Sequence, residues 1–265
     1  METMMDFPEL QRRFKELPPL PPTQQLDTWG KHRRSLRNHV ATSETMDDFL
    51  RWSTVVATMF LGDCPAVQEE WRLLAADDLP RWTIATLDPG VGGAARLPYA
   101  PHSTGNLVHQ AYHLMRWENA TGRRVDGISS IVEFGGGYGA MALVCRQAGF
   151  TGQYTIFDLP EFSLLQQYYL GQCSIGDISY SSSEDVSETD LFIACYSISE
   201  VAEKERRQHI PFKAKSFLFA AADTWDGIDN NEWFAADAAS RTGIKWVKVY
   251  NDIAPGHWYL FGVRQ

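Results

Sequence analysis

The strongest constraint in this sequence is one junction: Ile131-Val132-Glu133-Phe134-Gly135-Gly136-Gly137-Tyr138-Gly139. An apolar run with strand character, 128–134, ends in glycines. A stretch with helical spacing, 138–148, follows and is stopped by Gly149. Glycines let the backbone turn sharply and approach a ligand closely. The helix start behind them offers free N–H groups. Gly135, Gly137 and Ala140 also fit the dinucleotide pattern G-x-G-x-x-A, whose loop holds a diphosphate. Two features weigh against a diphosphate. Glu133 stands two residues before the first glycine, where its charge would oppose an anion and suit the cationic end of a sulfonium amino acid. The junction also lies near mid-chain, ahead of a sheet that ends in a hairpin. A glycine turn with no ligand is the third reading.

From about 127 onward, short apolar runs alternate with helical stretches, the pattern of βα units on a parallel sheet. Strands are predicted over 128–134, 154–157, 178–181, 191–196 and 216–221, and helices over 138–148, 160–170, 200–210 and 232–240. The last two strands, 244–250 and 257–263, are too close for a helical crossover and are predicted to be antiparallel. Residues 1–122 lack strand runs. They read as a helical N-terminal region, serving as lid, substrate or dimer surface, ahead of a Rossmann-like domain over 123–265. Prolines 18, 19, 21 and 22 suggest an extended arm. Helices are predicted over 44–60, 66–76 and 104–121, with a loop over 87–101.

Asp158 ends the second strand about 20 residues past the glycines, where a nucleotide ribose is expected. Its carboxylate can accept from both ribose hydroxyls. It can equally cap the helix opened by Pro160. Leu159 is placed to pack on an adenine. Ser182, Ser183, Glu184 or Asp185 would meet the adenine amino group, or form a solvated loop.

The formal charge of −9 disfavours a nucleic-acid substrate. Cys64, Cys145, Cys173 and Cys195 form no zinc-spaced set, which suits a reducing, cytoplasmic setting. No apolar stretch is long enough to span a bilayer, so no membrane role is expected.

The segments Ile131 to Ala140, Tyr154-Thr-Ile-Phe-Asp-Leu-Pro-Glu161, Tyr168-Tyr169-Leu170 and Asp190 to Glu200 resemble the sugar O-methyltransferase family. The Phe157-Asp158-Leu159-Pro160 piece is similar to small-molecule O-methyltransferases more broadly. The resemblance covers roughly 100–265. It implies a class I methyltransferase fold with S-adenosylmethionine as cofactor, and Glu133, Gly135, Gly137 and Asp158 at motif positions. Gly136 and Tyr196 are added here as expected cofactor contacts.

In open α/β sheets the ligand lies beyond the C-terminal strand ends. That rule selects Tyr196, Ser199 and Glu200 after the fourth strand, and Asp223 and Trp225 after the fifth. It also selects Asn251 and His257 in the final hairpin turn. Methylating a hydroxyl needs a proton acceptor, and histidine suits that task near neutrality. His257 is the first candidate, followed by Glu200 and Asp223. Each also has a structural role open to it: hairpin, helix start or turn. His113, Ser199, Trp225 and Asn251 are candidate substrate contacts. His109 and His113 share a helix face without an HExxH pattern, so a pocket wall is preferred to a metal pair, and no metal is expected. The expected partner is a small-molecule hydroxyl compound, a sugar or secondary metabolite, with a homodimer as the expected assembly. A carboxylate, amine or peptide acceptor stays open. So do a nicotinamide-dependent oxidoreductase, for which no Tyr-x-x-x-Lys pair follows the fourth strand, and a non-catalytic scaffold.

Overall fold

The computed structural model describes residues 4–21, 27–181, 188–211 and 213–265. Residues 182–185, named above for the adenine, lie outside them. Seven strands form the central sheet: β3 (Ser130–Phe134), β4 (Gln153–Phe157), β5 (Ile178–Ser181), β6 (Leu191–Cys195), β7 (Ser216–Ala222), β10 (Ile244–Tyr250) and β11 (His257–Arg264). Their order is β10-β11-β7-β6-β3-β4-β5. The pairs β3–β4, β3–β6, β4–β5 and β6–β7 are parallel, while β11 runs antiparallel to both β7 and β10. This is a mostly parallel Rossmann-like sheet, closed by the predicted C-terminal hairpin. The strand order reverses between β3 and β6, so the ligand crevice belongs at their C-terminal ends.

Two cores cover the sheet. One joins α6 (Ala140–Gln147) and α7 (Pro160–Gln172) with the N-terminal helices α1 (Phe7–Glu16), α2 (Thr28–Thr42), α4 (Pro65–Ala85) and α5 (Gly105–Thr121); it includes Leu36, Trp82, Trp117, Leu143 and Tyr169. The other lies under α9 (Asn230–Ser240) and is aromatic: Phe192, Phe217, Phe219, Phe234 and Trp258. Glu161 at the start of α7 is fully buried between two α2 arginines. Arg33 Nε reaches it at 2.7 Å and Arg37 pairs with its other oxygen.

The structure corrects four local expectations. The predicted helix over 44–60 is broken into a 3₁₀ turn, Phe49–Arg51, and α3 (Ser53–Thr58), because Trp52 is extended (φ −61°, ψ 139°) with its ring stacked on His39. The helix predicted over 66–76 runs on to Ala85 across a kink at Asp78. Pro80 lacks a donor there, and Asp78 Oδ1 accepts from Arg81 N at 3.2 Å to restart the helix. The loop over 87–101 and the strandless N-terminal region contain a small hairpin, β1 (Arg96–Leu97) and β2 (Ala100–Thr104). The helix over 200–210 shrinks to α8 (Glu203–Arg206) between 3₁₀ turns, since buried Arg206 bonds outward to the Val201 and Ser199 carbonyls and Asn230 Oδ1. A further hairpin, β8 (Thr224–Trp225) with β9 (Ile228–Asp229), precedes α9. Among the described residues no helix is long and apolar enough to cross a membrane.

Candidate active site

The glycine bend leaves β3 with Gly135 at φ +75° and Gly137 at φ +59°, conformations that favour glycine. Space imposes the same choice. A Cβ on Gly135 would strike the Ser197 side chain, and one on Gly137 would come within 3.1 Å of Met59 Cβ. Met59, just after α3, therefore covers the bend from the N-terminal region.

Two carboxylates lie beneath it. Buried Glu133 accepts from the Tyr154 hydroxyl at 2.8 Å through Oε2. Asp158, directly after β4, accepts from Leu159 N at 2.7 Å through Oδ1 and from Gln166 Nε2 at 2.7 Å through Oδ2. The same Gln166 amide donates to Gly137 O at 3.0 Å, tying helix, carboxylate and bend together. Burial pushes Glu133 up to about 7, opposed by Tyr154 and reinforced by Asp158. Burial also pushes Asp158 up to about 7, against the hydrogen bonds from Leu159, Gln166 and the bend. Neither carboxylate forms a salt bridge among the described residues. Gln166 Oε1 is buried without a partner.

A cluster of aromatic and imidazole rings adjoins the bend. The two meet at Tyr196–Ser197. Ser197 Oγ donates to Phe134 O at 2.5 Å and packs on Gly135. Tyr196 holds a left-handed φ of +56°, an unusual conformation for a residue with a side chain, and its backbone N–H is bound by Ala220 O. Its hydroxyl is 3.1 Å from His257 Nδ1. Its ring stacks nearly parallel to His109, 6.4 Å away, and tilts over His113. His109 and His113, one turn apart on α5, are 4.1 Å apart between ring centroids. His113 Nδ1 meets the Tyr259 hydroxyl at 2.7 Å, and His109 Nδ1 meets Glu70 Oε1 at 2.8 Å. Burial, with His109 and Arg116 nearby, holds His113 well below the usual imidazole range. Burial also lowers His257, with Asp223 opposing and His109 adding to the shift.

Of the residues singled out from sequence, the structure gathers Glu133, Gly135, Gly136, Gly137 and Asp158 at the bend, with Leu159 beside them against the core. It gathers Tyr196, His113 and His257 in the ring cluster, with Asp223 close enough to His257 to influence it. Asp223 Oδ1 also accepts from Asn231 Nδ2 at 2.9 Å. Glu200 ends a 3₁₀ turn, and burial alone raises it to about 8. Ser199 is buried with its carbonyl held by Arg206. Asn251 is buried too. Its Oδ1 accepts from Ile253 N at 3.1 Å and its N–H donates to His257 O, so it shapes the turn that carries His257. Trp225 is half-buried in its own hairpin opposite Ile228. Among the described residues no three His, Cys, Asp or Glu side chains are grouped to hold a metal ion. Glu70, Gln166, Met59 and Tyr259 were not anticipated. They come from helices or strands distant in sequence, and no local motif marks them.

No family model and no curated protein matches the sequence. Among solved structures the chain is similar to the mitomycin 7-O-methyltransferase MmcR, with 13% identity over 98% of this chain and 72% of that one and a TM-score of 0.45. It is similar to magnesium protoporphyrin IX methyltransferase from Synechocystis PCC 6803 with bound SAH, with 12% identity over 76% of this chain and 100% of that one and a TM-score of 0.47. An O-methyltransferase family protein from Burkholderia thailandensis gives 14% identity over 76% and 71%, with a TM-score of 0.45.

Proposed function

We propose that this chain transfers a methyl group from S-adenosylmethionine to a hydroxyl of a small molecule. The observation that carries this reading is the pairing of Glu133 and Asp158 under a side-chain-free bend, with no salt-bridge partner of their own. One buried and one partly buried carboxylate without a cation favour a cationic ligand and oppose a diphosphate. Gly135, Gly136 and Gly137 give the backbone room, Asp158 offers oxygens for ribose hydroxyls, and Leu159 offers an apolar surface for the adenine. When bound, the cofactor would supply an electrophilic methyl on a sulfonium.

The chain's own residues would orient the acceptor and take its proton. Tyr196 links the bend to the imidazoles, through its ring to His109 and its hydroxyl to His257. Burial keeps His257 uncharged at neutral pH, with its Nδ1 against the Tyr196 hydroxyl. Glu200, raised to about 8, holds its proton at neutral pH and suits hydrogen-bond donation better than base catalysis there. The half-buried rings of Tyr196, His109 and His257 at the strand ends suit contact with a polar ring compound, of sugar or secondary-metabolite type. The experiment is to incubate the full chain with methyl-labelled S-adenosylmethionine and a panel of phenols and glycosides. Label in an ether product supports the reading, and label in none of them removes the hydroxyl acceptor.

A further inference from the structure

We infer that the proton acceptor of this site is His109, backed by Glu70, and that His257 positions Tyr196. The inference rests on the methyltransferase reading and specifies the base within that site. Glu70, on α4, is only 2% exposed, and its Oε1 lies 2.8 Å from His109 Nδ1. A carboxylate only accepts hydrogen bonds, so Nδ1 must carry the ring proton. That fixes the tautomer and leaves a lone pair on Nε2, the atom turned away from Glu70. A hydrogen-bonded carboxylate also stabilises the imidazolium that forms when Nε2 takes a proton.

His257 lacks this arrangement. Its Nδ1 meets the Tyr196 hydroxyl, a group that donates or accepts, so neither tautomer is enforced. Asp223 influences it from nearby without a hydrogen bond to the ring.

The surroundings support the choice. The His109 ring is stacked on Tyr196, whose neighbour Ser197 touches Gly135, so Tyr196 and Ser197 link the base to the bend. α5 is also tied to the bend at its first turn, where Asn106 Nδ2 donates to the Tyr138 hydroxyl at 3.0 Å. Two buried polar atoms beside His109 lack partners, His113 Nε2 and Glu70 Oε2. His113 is held neutral, so a protonated His109 would face no second positive ring. The titratable groups facing His109 are Glu70 from α4, His113 from α5, Tyr196 after β6 and His257 at the start of β11. In the step assigned, the acceptor's O–H bond breaks and an N–H bond forms at His109 Nε2. The oxygen's electron pair forms the new O–C bond as the methyl's bonding pair returns to the donor sulfur.

The test uses the full chain with ¹⁵N-labelled histidines, saturated with S-adenosylhomocysteine, and 4-nitrophenol as an acidic hydroxyl probe. His109 is expected in the Nδ1–H form before the probe is added. On addition its Nε2 resonance should move to the imidazolium position while that of His257 stays. Glu70→Gln should abolish the movement. Glu70→Asp should restore part of it, and S-adenosylhomocysteine affinity should change less than threefold in either variant. A proton on His109 Nε2 before addition, a response at His257 instead, or no response at either ring overturns the assignment. Failure of S-adenosylhomocysteine to bind the unmodified chain overturns the methyltransferase reading itself and is seen independently by calorimetry.

Discussion

Gln166 Nε2 bridges Asp158 Oδ2 at 2.7 Å and the Gly137 carbonyl at 3.0 Å, so one amide holds the carboxylate and the bend in register. The carboxylate stays directed at the strand ends instead of turning outward to cap α7.

Asp158→Ala is therefore expected to weaken S-adenosylhomocysteine binding about tenfold or more, since losing a hydrogen bond to a charged group costs ~1.5–3 kcal/mol. Titration calorimetry on the two proteins checks this. Unchanged affinity would take Asp158 out of the site.

The raised Glu133 and Asp158 make both binding and stability pH-dependent. A cationic ligand needs the ionised forms, so S-adenosylmethionine affinity should rise between pH 6 and 8 and level off above, by at most about tenfold per unit for each coupled proton. Folding has the opposite sign. Both groups hold protons more tightly when folded than in the unfolded chain, where carboxylates titrate near 4. Their contribution to stability is complete below about pH 4 and is lost as pH rises through about 7. Glu133→Gln should accordingly raise the melting temperature at pH 8 relative to the parent, while weakening the cofactor. A lower melting temperature at pH 8 would contradict a buried charge that has no salt-bridge partner among the described residues.

Gly135→Ala should destabilise the chain by about 1–3 kcal/mol from its φ of +75° alone, with the Ser197 contact adding to that. Adding Ser197→Gly should recover the contact part and leave the backbone part. Urea denaturation of the single and double variants separates the two.

Glu161 is buried against Arg33 and Arg37, so Glu161→Gln removes a charge that two guanidinium groups share. A loss of about 3–5 kcal/mol is expected, read as a lower urea midpoint. The loss should release α1 and α2 first, visible as faster hydrogen exchange in those helices than in β3 and β6.

Much of this was legible in the sequence because it is written locally. The glycines that turn β3 into α6, the proline opening α7, the αL glycine at 122 and the short link between β10 and β11 each act within a few residues. The α4 kink was equally local, at Pro80, yet its consequence depended on Asp78 re-capping the helix. The α8 segment misled because Arg206 spends its hydrogen bonds on Ser199, Val201 and Asn230 in place of a regular helix. At the site, Glu133, the glycines, Asp158, Tyr196 and His257 were read from strand ends. Glu70 was not, because it reaches His109 from another helix 39 residues away. Gln166 was missed for a similar reason: its meaning comes from a bend 29 residues earlier in the chain.

The measurement that bears most directly on the central claim is calorimetric titration of the full chain with S-adenosylhomocysteine and, separately, with NAD. One-to-one binding of the first and none of the second is predicted, with binding of the first lost in the Glu133→Gln, Asp158→Ala double variant. Binding of NAD in preference, or of neither compound, would contradict it.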